Sequence, residues 1–98
     1  MMARSKLEVY LDILRVLRYR GPLKLTHVMY KANVNCNVVK ENLHFLIQQG
    51  LVEERSSSKT AVVYAITQKG IQVIKHFLEL EKMLPEVYET EHRMPMPY

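Results

Sequence analysis

Between positions 35 and 44 the chain carries Asn35, Asn37, Val38, Lys40 and His44: short amides, a cation, an imidazole and a branched methyl pair. On one end of a helix, these side-chain types can read the edges of base pairs. Asn37 can pair with adenine, Lys40 can reach a guanine edge or a phosphate oxygen, and Val38 can touch a thymine methyl. Each has a plainer alternative. Asn35 is equally an N-cap, and Asn37 and Lys40 equally belong to a solvated face. Glu41, in the same window, repels phosphate unless it accepts from a cytosine amine.

A second cluster follows at Arg55, Ser56, Ser57, Ser58, Lys59 and Thr60. Short hydroxyls between two cations suit phosphate oxygens or the adjacent minor groove, and they equally suit an inert loop. Lys31, on a short segment with Thr26, His27 and Tyr30, is a further phosphate candidate. Arg4, Lys6, Arg15, Arg18, Arg20 and Lys24 add positive charge whose facing the sequence leaves open.

Enzymatic and metal chemistry find little to work with. His27, His44, His76 and His92 are scattered, and neither Cys36 nor a carboxylate pair stands at ligand spacing to them. Gly21 and Gly50 end elements, and Gly70 sits in a first helical turn, so no glycine-rich phosphate loop is formed. Cys36 is either a buried thiol or a redox-sensitive group at the start of a helix. The expectation is a non-enzyme with no metal, no cofactor and no evident small-molecule ligand.

The charge is divided along the chain. Residues 1–78 hold twelve Lys and Arg against five Asp and Glu, a net of +7; residues 79–98 hold two against five, a net of −3. A basic body of this kind attracts polyanions. With 48% hydrophobic and 24% charged residues the chain is built to fold. It contains no apolar run of membrane-spanning length and no signal-peptide core, so a cytoplasmic, nucleoid-associated location is expected.

The elements that must position these groups are legible from periodicity. Leu7, Leu11, Leu14 and Leu17 recur at helical spacing over residues 5–19, with Val9, Ile13 and Val16 as a second stripe, and Gly21 and Pro22 end the helix. Thr26 is expected to cap a short helix carrying Val28, Met29 and Ala32. Asn33 can close it in a left-handed conformation, Val34 can point into the core, and Asn35 can cap the next helix over residues 36–49. That helix has Val39, Leu43, Leu46 and Ile47 on one face, and Gly50 stops it. Phe45 falls off this stripe and is expected beside the following hairpin.

Strand-like runs at residues 51–55 and 61–66 flank the polar cluster as a hairpin, and Thr67 caps a last long helix that Pro85 interrupts or ends. The order is helix, short helix, tight turn, helix, hairpin, helix. This is a mainly α fold with a β-hairpin wing, a winged helix-turn-helix over residues 5–66. A C-terminal dimerisation helix is assigned to residues 67–91 and a disordered tail to residues 92–98.

Val73, Phe77, Leu80, Leu84 and Val87 alternate at spacings of four and three, a coiled-coil-like seam, while Ile71, Ile74 and Leu78 can pack back on the domain. Either the first and last helices cover each other within one chain, or a homodimer buries the excess apolar surface. A homodimer would present two recognition helices to successive turns of a duplex.

The stretch Val28-Met29-Tyr30-Lys31-Ala32-Asn33-Val34-Asn35, the Gln49-Gly50-Leu51-Val52 corner and Tyr64-Ala65-Ile66-Thr67-Gln68-Lys69-Gly70 resemble small archaeal winged-helix DNA-binding proteins over residues 6–84. That family includes chromatin-associated members that dimerise through a long C-terminal helix. Cys36 stands where the family often has an aromatic. The resemblance implies cofactor-free binding of double-stranded DNA by a transcriptional regulator or an architectural protein. The alternative class is a protein-interaction winged helix within a transcription complex; RNA binding lacks an evident set of exposed aromatics.

Overall fold

The computed structural model describes residues 5–56, 58–59 and 61–84. Ser57, Thr60, Pro85, Val87 and the tail assigned to residues 92–98 lie outside the described residues. Four helices and one hairpin follow in the order α1 (Lys6–Arg20), α2 (Leu25–Ala32), α3 (Cys36–Gln48), β1 (Val52–Ser56), β2 (Val62–Ile66) and α4 (Gln68–Met83).

Helix α1 starts at a capping box. The Ser5 hydroxyl accepts from the Glu8 amide at 3.1 Å, and the Glu8 carboxylate accepts from the Ser5 amide at 2.9 Å. It ends at Gly21, whose φ of 81° is open to glycine and strained for other residues. Leu11, Ile13, Leu14 and Leu17 are fully buried, so this helix is covered on two sides as its twin stripes require. Leu7 begins the same stripe but is 53% exposed, because it lies in the first turn beyond the layer that covers the rest.

Helix α2 departs from expectation. It begins at Leu25 with Lys24 in the N-cap position and no side-chain cap; Thr26 lies inside the helix and caps nothing. The reason is tertiary. Leu23 forms a β-bridge with Tyr64, its amide donating to the Tyr64 carbonyl at 3.0 Å and its carbonyl accepting at 2.8 Å. This fixes the chain immediately upstream, and the helix starts as soon as the bridge releases it. The bridge adds a third backbone segment beside β2 that the sequence pattern did not disclose.

The two strands pair antiparallel in the register Val52↔Ile66, Glu53↔Ala65, Glu54↔Tyr64, Arg55↔Val63 and Ser56↔Val62. The core gathers Val9, Ile13, Leu14, Leu17, Val28, Ala32, Val39, Leu43, Leu46, Val52 and Ile74, and therefore draws on all four helices and β1. No described helix is long and apolar enough to cross a membrane.

At the base of the hairpin, Gly50 turns the chain with φ 77°. The Thr67 hydroxyl donates to the Gly50 carbonyl at 2.7 Å and accepts from the Gly70 amide at 3.1 Å, while the Thr67 amide donates to the Leu51 carbonyl at 3.0 Å. The Lys69 ammonium donates to the Gln49 carbonyl at 2.8 Å, satisfying a backbone acceptor at the end of α3. Gly70 is buried against this corner. A Cβ there would lie 2.4 Å from the Leu51 carbonyl oxygen and 2.6 Å from Ile66 Cγ1.

Two stability measurements follow from these contacts. Gly70→Ala should lower unfolding free energy by roughly 1–3 kcal/mol in urea titration, because backbone as well as a side chain must move to admit the methyl group; an unchanged midpoint would show that the corner is loose. The Asn35 side chain accepts from the Val38 amide at 3.0 Å as the N-cap of α3. Asn35→Ala should therefore cost about 1 kcal/mol, and Asn35→Asp much less. Equal losses in the two variants would contradict a capping role.

Candidate nucleic-acid interface

The corner between α2 and α3 is built from backbone conformation. Asn33 adopts the left-handed region at φ 57°, ψ 53°, and its amide closes on the Met29 carbonyl. The Val34 amide also reaches the Met29 carbonyl, at 3.2 Å, and the Val34 side chain packs half-buried against the core. Asn35 then returns to extended geometry at φ −76°, ψ 166° and caps α3. An asparagine fits both roles, since its short amide tolerates the left-handed region and supplies an acceptor for an open amide.

With Val39, Leu43 and Leu46 buried, α3 turns Asn37, Lys40, Glu41 and His44 to solvent. Asn35 and Cys36 are also exposed at its start. Of the two readings of Cys36, the buried thiol is set aside. Val38 is half-buried and packs on the core cluster, so part of its methyl surface is already committed. Phe45 does not lie beside the hairpin. It stacks on Tyr10 of α1, ring centroids 4.8 Å apart and planes 16° off parallel, because α3 crosses α1 on that side.

Between α3 and the hairpin runs a groove of about 260 Å³, floored by Leu25, Leu43 and Ile47 and rimmed by Lys40, His44, Glu54 and Tyr64. Burial, and secondarily the Glu54 carboxylate on the neighbouring strand, push the Tyr64 phenol above its ordinary value. Glu54 entered the site without a signal in the sequence. Its place follows from its pairing opposite Tyr64, which places the two together at the groove rim.

On the hairpin, Arg55 is exposed but engaged, its guanidinium contacting the Glu53 carboxylate at 2.6 Å through two nitrogens. Ser58 and Lys59 are exposed at the tip, and Lys31 is exposed in the last turn of α2. The fold thus places Lys31, Asn35, Asn37, Lys40 and His44 on the α2–α3 unit, while Arg55 and Lys59 belong to the hairpin. Among the described residues no group of three or more His, Cys, Asp or Glu is arranged to hold a metal ion.

The proposed seam on α4 is split by the structure. Val73 packs on the core, and Phe77 is half-buried beneath Arg15, whose guanidinium carbon stands 5.7 Å from the ring centroid. Arg15 also reaches Glu81 at 3.5 Å, so α1 and α4 are joined within one chain. Leu80 and Leu84 stay exposed. Ile74 packs back as expected, but Leu78 does not: it is 39% exposed one turn further along, where α1 covers the helix on the Phe77 and Glu81 side.

Comparison with known proteins places this arrangement. Among solved structures, the chain is similar to Sso10a-2, a DNA-binding protein from Sulfolobus solfataricus, at 27% identity and TM-score 0.74, covering 92% of each chain. It also matches BpsR of Bordetella bronchiseptica, whose DNA binding is regulated by 6-hydroxynicotinic acid, at 16% identity and TM-score 0.70, over 83% of this chain and 58% of that one. A MarR family protein from Bacillus stearothermophilus matches at 16% identity and TM-score 0.68, over 87% of this chain and 60% of that one. The likeness to these last two is one of fold, and this chain spans about three fifths of their length. No curated protein sequence matches it significantly. A winged helix-turn-helix family model matches residues 3–85, and with the α2–α3 corner, the hairpin and the bridge at Leu23 in place, the chain belongs to the winged helix-turn-helix family.

Proposed function

We propose that this protein binds duplex DNA as a homodimer, acting in transcription regulation or as an architectural protein of the nucleoid. In this reading the start of α3 enters the major groove. Asn37 and Lys40 reach base edges or phosphates, His44 and the remaining surface of Val38 lie along the same groove, and Asn35 holds the helix end. Lys31 contacts phosphate from α2, while Lys59, Ser57 and Arg55 of the wing contact the backbone.

The observation that carries the reading is electrostatic. From Ile13 to Lys40 the chain contains no Asp or Glu and six Lys and Arg, and this stretch leads directly into the exposed start of α3. The similarity to Sso10a-2, itself a DNA-binding protein, supports it. Glu53 and Glu54 temper the hairpin, and the Arg55 charge is partly offset by its pairing with Glu53. On α3 the exposed Lys40 is tempered in turn by the exposed Glu41, and Lys59 is exposed at the wing tip, so both elements contribute to the attraction.

For the dimer, Leu80 and Leu84 are the informative positions, since both are exposed within one chain at 50% and 48%. A second copy packed along this part of α4 buries them; Val73 and Phe77 form the inner end of the seam, already shared with the monomer core, and Val87 belongs to the same sequence spacing outside the described residues. Two recognition helices then engage one duplex, and each adds to the affinity of the other.

A mobility-shift titration should give roughly micromolar or tighter duplex binding that falls steeply with salt. Lys40→Ala combined with Lys59→Ala should weaken it by about 1–3 kcal/mol in total and flatten the salt dependence. Binding that is absent or insensitive to salt would instead favour a protein-interaction role. In sedimentation, Leu80→Glu with Leu84→Glu should convert a dimer to a folded monomer; a wild-type chain that is already monomeric would remove the seam.

A further inference from the structure

Beside the α2–α3 corner lies a second hollow of about 260 Å³, lined by Met29, Tyr30, Asn33 and Val34. It stands apart from the groove between α3 and the hairpin and shares no residue with it. Met29 and Val34 supply an apolar floor already anchored in the core. Tyr30 supplies a ring that is 82% exposed, and among the described residues it stacks on no other ring. Lys31 follows it directly. Upstream, Arg18, Arg20 and Lys24 are all exposed in a segment without a single carboxylate from residue 18 to residue 31.

We propose that this hollow receives an unstacked base of a single-stranded nucleic acid, whose backbone follows the cations from Lys31 toward Lys24 and Arg18. An exposed aromatic ring lining the same hollow as a thioether and a branched methyl pair accepts a planar heterocycle of any identity. The bases of an intact duplex stack on one another and cannot occupy such a site, so the ring selects single strands. The volume suits one base with its sugar and falls short of a drug-sized ligand. The carboxylate-free tract matches a polyanion that passes the hollow, and the site adds single-strand binding to the duplex reading without depending on it.

The test is fluorescence anisotropy with the full chain, using a labelled single-stranded pyrimidine oligonucleotide and a duplex of equal length at one salt concentration. Wild type should bind the single strand, Tyr30→Ala should weaken that binding roughly 5- to 100-fold, and Tyr30→Phe should stay within about twofold. Both variants should hold duplex affinity within about twofold, as Tyr30 is outside the proposed duplex contacts. No single-strand binding, an inert Tyr30→Ala, or a Tyr30→Phe as harmful as Tyr30→Ala would each overturn the proposal. An equal loss on single strand and duplex would overturn it too, by assigning Tyr30 to a shared face or to the fold. Retention of this pattern with no duplex binding at all would support the hollow and remove only the duplex reading.

Discussion

The Leu51 carbonyl is where α3, the hairpin and α4 are joined, and the rest of the molecule is oriented by that joint. It accepts the Thr67 amide at 3.0 Å and presses so close to Gly70 that a methyl group there would sit at 2.4 Å. Thr67 and Lys69 complete the corner by bonding the carbonyls of Gly50 and Gln49. Backbone acceptors at a helix end are costly to leave unmade when covered by another element. Here they are met from α4, so the angle between α3 and the hairpin is set by the same contacts that launch α4. Any shift of α4 would be felt at both proposed DNA-contacting elements.

From that corner the molecule divides its apolar surface unequally. The first half of α4 is absorbed into the core through Ile74, and Arg15 ties it to α1 by covering Phe77 and reaching Glu81. The second half touches α1 through Glu81 but leaves Leu78, Leu80, Met83 and the C-capping Leu84 exposed to solvent. A cation lying on an aromatic face and paired with a carboxylate marks the edge between these regimes. Within one chain α1 and α4 do cover each other as far as this edge; past it the remaining surface is available to a second copy.

The charge distribution follows the same geometry. Carboxylates are absent from the end of α1 through α2 to the start of α3; they return at Glu41 within α3 and at Glu53 and Glu54 in the hairpin. The hairpin is therefore a wing with one internally paired cation, Arg55, and one exposed at its tip, Lys59, flanking a helix on which Lys40 and Glu41 are both exposed. Glu54 and Tyr64, set opposite each other in the strand register, share the groove with Lys40 and His44. This couples the polar character of the groove to the pairing of the hairpin.

Much of this was determined by the sequence alone, wherever the signal was local. Helical periodicity located the buried faces of α1 and α3; the amide of Asn35 and the hydroxyl of Thr67 named their own capping roles; and the left-handed Asn33 followed from a side chain that tolerates positive φ. What only the tertiary structure decided came from contacts between distant segments. Thr26 lost its capping role because Leu23 pairs with Tyr64, Phe45 found Tyr10 rather than the hairpin, and Glu54 and Arg55 took partners set by strand register and side-chain reach. Leu78 stayed in solvent because α1 covers this part of α4 on the Phe77 and Glu81 side, a matter of which face meets a neighbour that no periodicity encodes. Caps and stripes depend on residues three or four apart, and packing depends on which surfaces meet. The type of helix that carries Asn37 and Lys40 was thus legible in the chain, while the groove and the hollow beside it exist only once the elements have met.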